Sequence, residues 1–152
     1  MKRLLFILVF TLVSAFVAVS VRAEPGDDTL SLLLSKSQLV VSGTITTNAI
    51  AMLGGGLGLE IYDFTFRIED VIKGAPEMRG QTIRVVFEVR QGSGSYDSLP
   101  LFQPNARRVL FLNEPKSSHG YWVQADEWSA IYFHSSWMLD SLKRLEREDA
   151  KN

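Results

Sequence analysis

Cysteine is absent from this chain of 152 residues, and histidine occurs only twice, at His119 and His134. Without cysteine there are no disulfides, even in a compartment that would permit them. A cysteine nucleophile, a thiolate zinc site and a lipid anchor on an N-terminal cysteine are excluded as well. An excess of basic charge is also missing, because 16 Lys and Arg face 17 Asp and Glu. Nucleic-acid binding needs a basic face for phosphate contacts, so that class is set aside. Repeats, low-complexity tracts and long charge runs do not occur. The glycines at 54, 55, 56 and 58 fail the dinucleotide pattern, since Leu59 stands where its third glycine would be. No Gly-Lys-Ser/Thr follows them, and no serine sits in a Gly-x-Ser-x-Gly elbow.

One long apolar run is present, at the start. Lys2 and Arg3 precede a stretch from Leu4 to Val21 that is broken only by Thr11, Ser14 and Ser20. Val21-Arg22-Ala23 then places small residues where a signal peptidase cuts. Residues 1–23 are therefore expected to be a secretory signal peptide, with Glu24 as the mature N-terminus. A retained anchor is the rival reading, because a run of about 18 apolar residues is just long enough to span. Cleavage after Ala23 leaves no stable membrane anchor and a secreted or periplasmic protein. It removes three basic residues, Lys2, Arg3 and Arg22, and no acid, so the net charge moves from −1 to −4. Residues 24–152 suit a single domain with one core.

Period-two patterning dominates that domain. From Tyr62 to Glu69, Tyr62, Phe64, Phe66 and Ile68 alternate with Asp63, Thr65, Arg67 and Glu69, as in a half-buried strand. The alternation slips at Asp70, which predicts a bulge or a strand end. Leu39 to Thr46 reads as an earlier strand, in which Gly43 marks a sharp coil or the close approach of another backbone. Gln81 to Val89 and Arg107 to Asn113 are two more strands. Val109 to Leu112 is apolar on both faces and is expected to be covered on both. Tyr121 to Ala125 and Ala130 to Phe133 form either two short strands or one interrupted strand.

A short helix is expected before the strands, capped by Asp27 or Asp28, with Leu30, Leu33 and Leu34 inward. A closing helix over about 136–149, capped by Ser135 or Ser136, buries Met138, Leu142 and Leu145. Asp140 and Arg144 pair on its wet side. Together these elements specify an all-β fold, a small five-stranded barrel over about 37–133 with a helix at each end. Closure protects edges that an open sheet of this size would expose. Strands one and two are expected to be separated by a loop over 47–59 rather than by a tight turn.

Three segments carry a resemblance. They are Ser37-Gln38-Leu39-Val40-Val41-Ser42-Gly43-Thr44-Ile45, the run from Tyr62 to Val71-Ile72-Lys73-Gly74, and Arg108-Val109-Leu110-Phe111-Leu112. They resemble the tissue-inhibitor-of-metalloproteinase-like (netrin-like) OB-fold, in the exported bacterial form without disulfides. The resemblance spans about Thr29 to Phe133 and implies an OB-like barrel. The animal inhibitors set an N-terminal cysteine on a protease zinc, and this chain has no counterpart of it. The turn Pro104-Asn105-Ala106-Arg107-Arg108 also differs from the Gly-Glu/Asp-Arg turn of related bacterial sequences.

The function expected is therefore non-enzymatic recognition of a protein or peptide partner, with no cofactor, no metal and no catalytic residue assigned. The candidate contact residues are Ile50, Met52, Leu53, Leu57 and Leu59 in the apolar loop, together with Trp128 in a turn. Exposed apolar loops mark contact surfaces, although these side chains could equally fold over the barrel mouth. Trp137 is expected to pack against the core. One alternative is a protease inhibitor that acts through loops. The other is a small metal-dependent hydrolase around Asp126, Glu127 and His134. Glu69 and Asp70 are adjacent on a strand, so they point apart and cannot serve one substrate as acid and base.

Overall fold

The structure, a computed structural model, describes residues 25–47, 50–54, 59–90, 102–114, 120–126 and 130–151. A helix α1 (Asp27–Lys36) leads into the strands β1 (Leu39–Ile45), β2 (Ile50–Gly54) and β3 (Leu59–Lys73). They are followed by β4 (Thr82–Arg90), β5 (Arg107–Asn113), β6 (Trp122–Gln124), β7 (Ile131–Phe133) and a closing helix α2 (Ser136–Asp149). β1 pairs with β3, β3 with β4, β4 with β6, β6 with β5, and β5 returns to β1. The ring is a closed five-stranded OB-like barrel. All of its pairings are antiparallel except β4 with β6, where Val85 stands beside Trp122 and Val86 beside Val123. Among the described residues no helix is long and apolar enough to cross a membrane.

The period-two face of β3 is the inner wall. Tyr62, Phe64, Phe66 and Ile68 are buried, and Ile83, Val85, Phe87 and Val89 of β4 meet them. Tyr62 stacks on Phe102 with ring centroids 4.1 Å apart, and Phe102 also touches Phe64 and Phe87. Val109, Leu110, Phe111 and Leu112 are fully buried, as their two-sided apolar pattern requires.

The slip at Asp70 is a pair of bulges. Val40 stands opposite Lys73 but Val41 opposite Val71, so Ile72 is an extra residue on β3. Ser42 then faces Asp70 and Gly43 faces Ile68, which makes Glu69 a second extra residue. At Gly43 the backbones come very close. A Cβ there would lie 2.0 Å from the Arg67 carbonyl oxygen.

One expectation about a connection changes and one open alternative is resolved. The segment over 47–59 is not a loop, because Ile50–Gly54 is a strand paired with β3 from Ile50↔Asp63 to Gly54↔Leu59. β2 continues the edge of β3 on which β1 lies, so β1 and β2 are one strand with an interruption. Strands one and two are thus joined as a hairpin, with only residues 55–58 between the paired Gly54 and Leu59. Likewise β6 and β7 lie along the same edge of β5, and the Phe111 carbonyl and amide bond Ala125 and Ala130. They are the interrupted strand, not two separate ones.

Both helices carry apolar stripes. α1 buries Leu30, Leu33 and Leu34. Its N-cap is Gly26 with no side-chain cap; Asp27 and Asp28 sit in the first turn instead, where their charge suits the helix dipole. α2 buries Met138, Ser141 and Leu142, with Leu145 half-buried. Ser135 caps it by accepting from the Met138 amide at 3.2 Å. Arg144 does not pair with Asp140. It reaches Asp27 at 2.6 Å and Glu148 at 3.7 Å, because docking α1 beside α2 offers it a better-placed carboxylate.

Candidate functional site

Three surface regions concentrate chemistry. The first is the β2–β3 hairpin arm. Met52 stands opposite Ile61 and Leu53 opposite Glu60. The other edge of β2 has no strand partner among the described residues. Its sequence, Ile50-Ala51-Met52-Leu53-Gly54, carries no charge. Uncharged edges are templates for a further strand.

The second region is polar and lies on the outer face where β1 and β3 meet. Glu69, lifted out by its bulge, accepts from Thr44 at 2.6 Å and from Arg107 at 2.8 Å. The Thr44 hydroxyl, with the charges of Arg107 and Arg67 adding to it, holds the Glu69 carboxyl below its ordinary value. Thr46, Thr47 and Thr65 share hydroxyl hydrogen bonds beside it. Further along β3, Arg84 forks onto Asp63, lowers that carboxyl, and lies over the Tyr121 ring. Glu69 and Asp63 are each matched by a cation, so the arrangement is a clasp between strands.

The third region is a groove of about 700 Å³ between α2 and the end of β3. Asp70, Val71 and Ile72 form one wall, and Trp137, Asp140 and Arg147 stand along the other. Lys143 donates to Asp70 at 2.7 Å across the groove floor and lowers that carboxyl. Glu69 and Asp70 thus turn to different partners, as adjacent strand residues should.

Tyr62 and Arg108 are the perturbed groups nearest the core. Burial, together with a 2.6 Å hydrogen bond to Glu60, pushes the Tyr62 phenol up to about 12. Burial alone pulls Arg108 down, and its guanidinium lies 4.5 Å from the centre of the Phe133 ring.

The sequence-derived contact residues divide accordingly. Ile50, Met52 and Leu53 fall in β2, and Leu59 begins β3, so four of them lie along one hairpin. Leu57 and Trp128 lie outside the described residues. Trp137 is the correction: 42% of it is exposed, because α2 presents Met138 and Leu142 inward and turns the neighbouring position out. Of the metal-site residues, Asp126 is engaged by Lys36 at 2.8 Å, and Glu127 lies outside the described residues, as does His119. Among the described residues no group of three His, Asp or Glu converges as a metal site would require. Phe102, the stacking partner of Tyr62, was missed by the sequence reading. It belongs to no strand, and only its aromatic type just before β5 hinted at a core role. The groove was missed too, because its walls are 65 or more residues apart in the chain and its one sequence signal, Trp137, also fits a core position. Compared with family models the chain matches none, and no curated protein matches it.

Proposed function

We propose that this chain is an exported, non-enzymatic module that recognises a protein or peptide partner along the free edge of β2. One observation carries the reading. A closed barrel has no edges to offer, yet the hairpin arm extends past the closure and leaves an uncharged strand edge that, among the described residues, is paired on one side only. A partner segment added there gains main-chain hydrogen bonds, and alternate side chains supply selectivity. Export is supported by the leader pattern of residues 1–23. The resemblance to the netrin-like inhibitors suggests protease inhibition as a second reading. It would use the same hairpin, which in those proteins lies at the protease-contacting edge.

The test is crosslinking in the native cell envelope with the wild-type chain and with Met52→Lys. A lysine on an edge strand blocks further pairing with little effect on the fold. Loss of the crosslinked partner at unchanged thermal stability supports the reading. Undiminished crosslinking in the variant refutes it. Inhibition of a metalloprotease panel, abolished by the same substitution, would favour the inhibitor.

A further inference from the structure

The groove beside α2 has a chemistry of its own, and its charges fall into two sets. Lys143 is paired with Asp70, and Arg144 with Asp27 and Glu148. The pairs with Asp70 and Asp27 brace α2 against β3 and α1, and the Glu148 pair lies within α2. The second set has no such partners. Among the described residues, no hydrogen bond or ion pair engages the carboxylates of Asp140 and Glu146. Arg147 donates through Nε to the Lys143 carbonyl at 2.9 Å, and no carboxylate among the described residues neutralises its guanidinium.

Trp137 completes the second set. It lines the groove and remains 42% exposed, although a tryptophan on a helix above a barrel would ordinarily be driven inward. Asp140 follows it by three positions, so the indole and the carboxylate are neighbours on one helix face. An indole face attracts a cation, and a carboxylate beside it supplies a charge-assisted hydrogen bond. Arg147 lies two turns beyond Asp140, about 10 Å along the axis at 1.5 Å per residue. A peptide in polyproline II conformation makes three residues per turn and advances about 3.1 Å per residue, so side chains three positions apart lie on one face and match that span.

We propose that this groove is a second recognition site, separate from the β2 edge, for a peptide segment in polyproline II conformation. A basic side chain of the segment rests on Trp137 and pairs with Asp140. An acidic side chain three residues away faces Arg147. The free charge of the groove, two carboxylates to one guanidinium, selects the basic side chain as the dominant contact. The β2 edge pairs with the first residues of β3 and the groove is built on its last ones, so the two surfaces sit at opposite ends of one strand.

The probe is a fluorescein-labelled peptide, Gly-Arg-Gly-Gly-Glu-Gly, titrated into the mature chain at low salt and followed by anisotropy. Two control peptides carry glutamine in place of the arginine or of the glutamate. Asp140→Asn and Trp137→Leu are each expected to weaken binding of the probe about tenfold, and the peptide lacking arginine should bind no better than to those variants. Arg147→Gln should weaken the probe but leave the peptide lacking glutamate unaffected. Met52→Lys should change nothing, which separates this site from the β2 edge. Circular-dichroism melts establish that each variant is folded, and Asp140→Asn, on the exposed face, keeps the test open if Trp137→Leu unfolds. Absence of binding at millimolar protein, or binding indifferent to Asp140→Asn, overturns the proposal. So does concentration-dependent dimerisation abolished by Asp140→Asn, which would place a second copy of this chain in the groove instead.

Discussion

Gly43→Ala tests the closest backbone approach in the barrel. The added methyl would sit 2.0 Å from the Arg67 carbonyl oxygen and 2.9 Å from Cε1 of Phe66. Contacts under 3.0 Å do not persist, so β1 and β3 must part by about 1 Å or more at this point. Neither strand has room to yield. β1 is paired on its other edge with β5, through Gly43↔Arg108, and β3 is paired with β4 over Leu59–Arg67. Overpacking of this kind costs about 1–3 kcal/mol. Each ladder hydrogen bond stretched as the strands separate adds about 1 kcal/mol. Alanine also stiffens the unfolded chain, which returns about 0.4–1 kcal/mol. The net expectation is a loss of about 2–4 kcal/mol. With a urea slope of about 2 kcal/mol per molar, the middle of the usual range, the unfolding midpoint should fall by about 1–2 M at unchanged slope. Gly26→Ala is the control, because nothing lies within 4 Å of its added methyl; it should cost less than about 1 kcal/mol. An unfolding midpoint for Gly43→Ala equal to that of the wild type would refute the register assigned to β1 and β3.

Further predictions follow from the same structure. Phe66, fully buried, should cost about 3–5 kcal/mol on truncation to alanine, whereas Thr65→Ala, which removes exposed hydroxyl contacts to Thr46 and Thr47, should cost about 0.5–1.5 kcal/mol; equal losses in denaturant melts would mean the strand is covered on both faces. Tyr62 should ionise at about 12 in an ultraviolet titration. Its folded value lies above the unfolded one, so the stability it contributes is complete below about pH 10 and is lost as pH rises toward 12, and Tyr62→Phe should flatten that alkaline decline. Asp70 is shifted the other way by Lys143: its contribution is present above about pH 4 and disappears as pH falls through its lower folded value. Asp70→Asn should therefore make acid unfolding less steep, and a variant with the wild-type acid limb would count against the Lys143 clasp. N-terminal sequencing of the exported protein should begin at Glu24, and an uncleaved chain released only by detergent would favour the anchor reading.

The patterning of the chain makes most of the barrel legible. Tyr62, Phe64, Phe66 and Ile68 repeat every second residue because one face of the strand meets the core and the other meets water. The run Val109 to Leu112 has no polar face because β5 is covered on both sides. The slip at Asp70 announced a bulge, and glycine at 43 announced a neighbour too close for a side chain. Caps were harder. Asp27 looks like an N-cap in sequence, but Gly26 takes that position and Asp27 is drawn to Arg144, 117 residues away. Local preference lost there to a tertiary charge pair.

The residues at 47–59 were misread for a different reason. Five large apolar residues among four glycines have no clear period, and a strand of five residues gives period-two patterning little length to show itself. Only pairing with β3 made Ile50–Gly54 a strand. Between β6 and β7 the pattern fits two short strands or one interrupted strand, and the interrupted strand forms because β5 offers both segments the same line of amides and carbonyls. By itself the sequence determined the alternating strands, the two amphipathic helices, the absence of disulfides and the leader pattern, because each is a local consequence of side-chain type and spacing. The closure of the ring through the parallel β4–β6 pair, the edge of β2 that has no strand partner among the described residues, and the groove that brings Trp137 and Asp140 beside Asp70 were decided only by the tertiary structure. Each depends on which distant backbones meet, and no local pattern encodes that meeting.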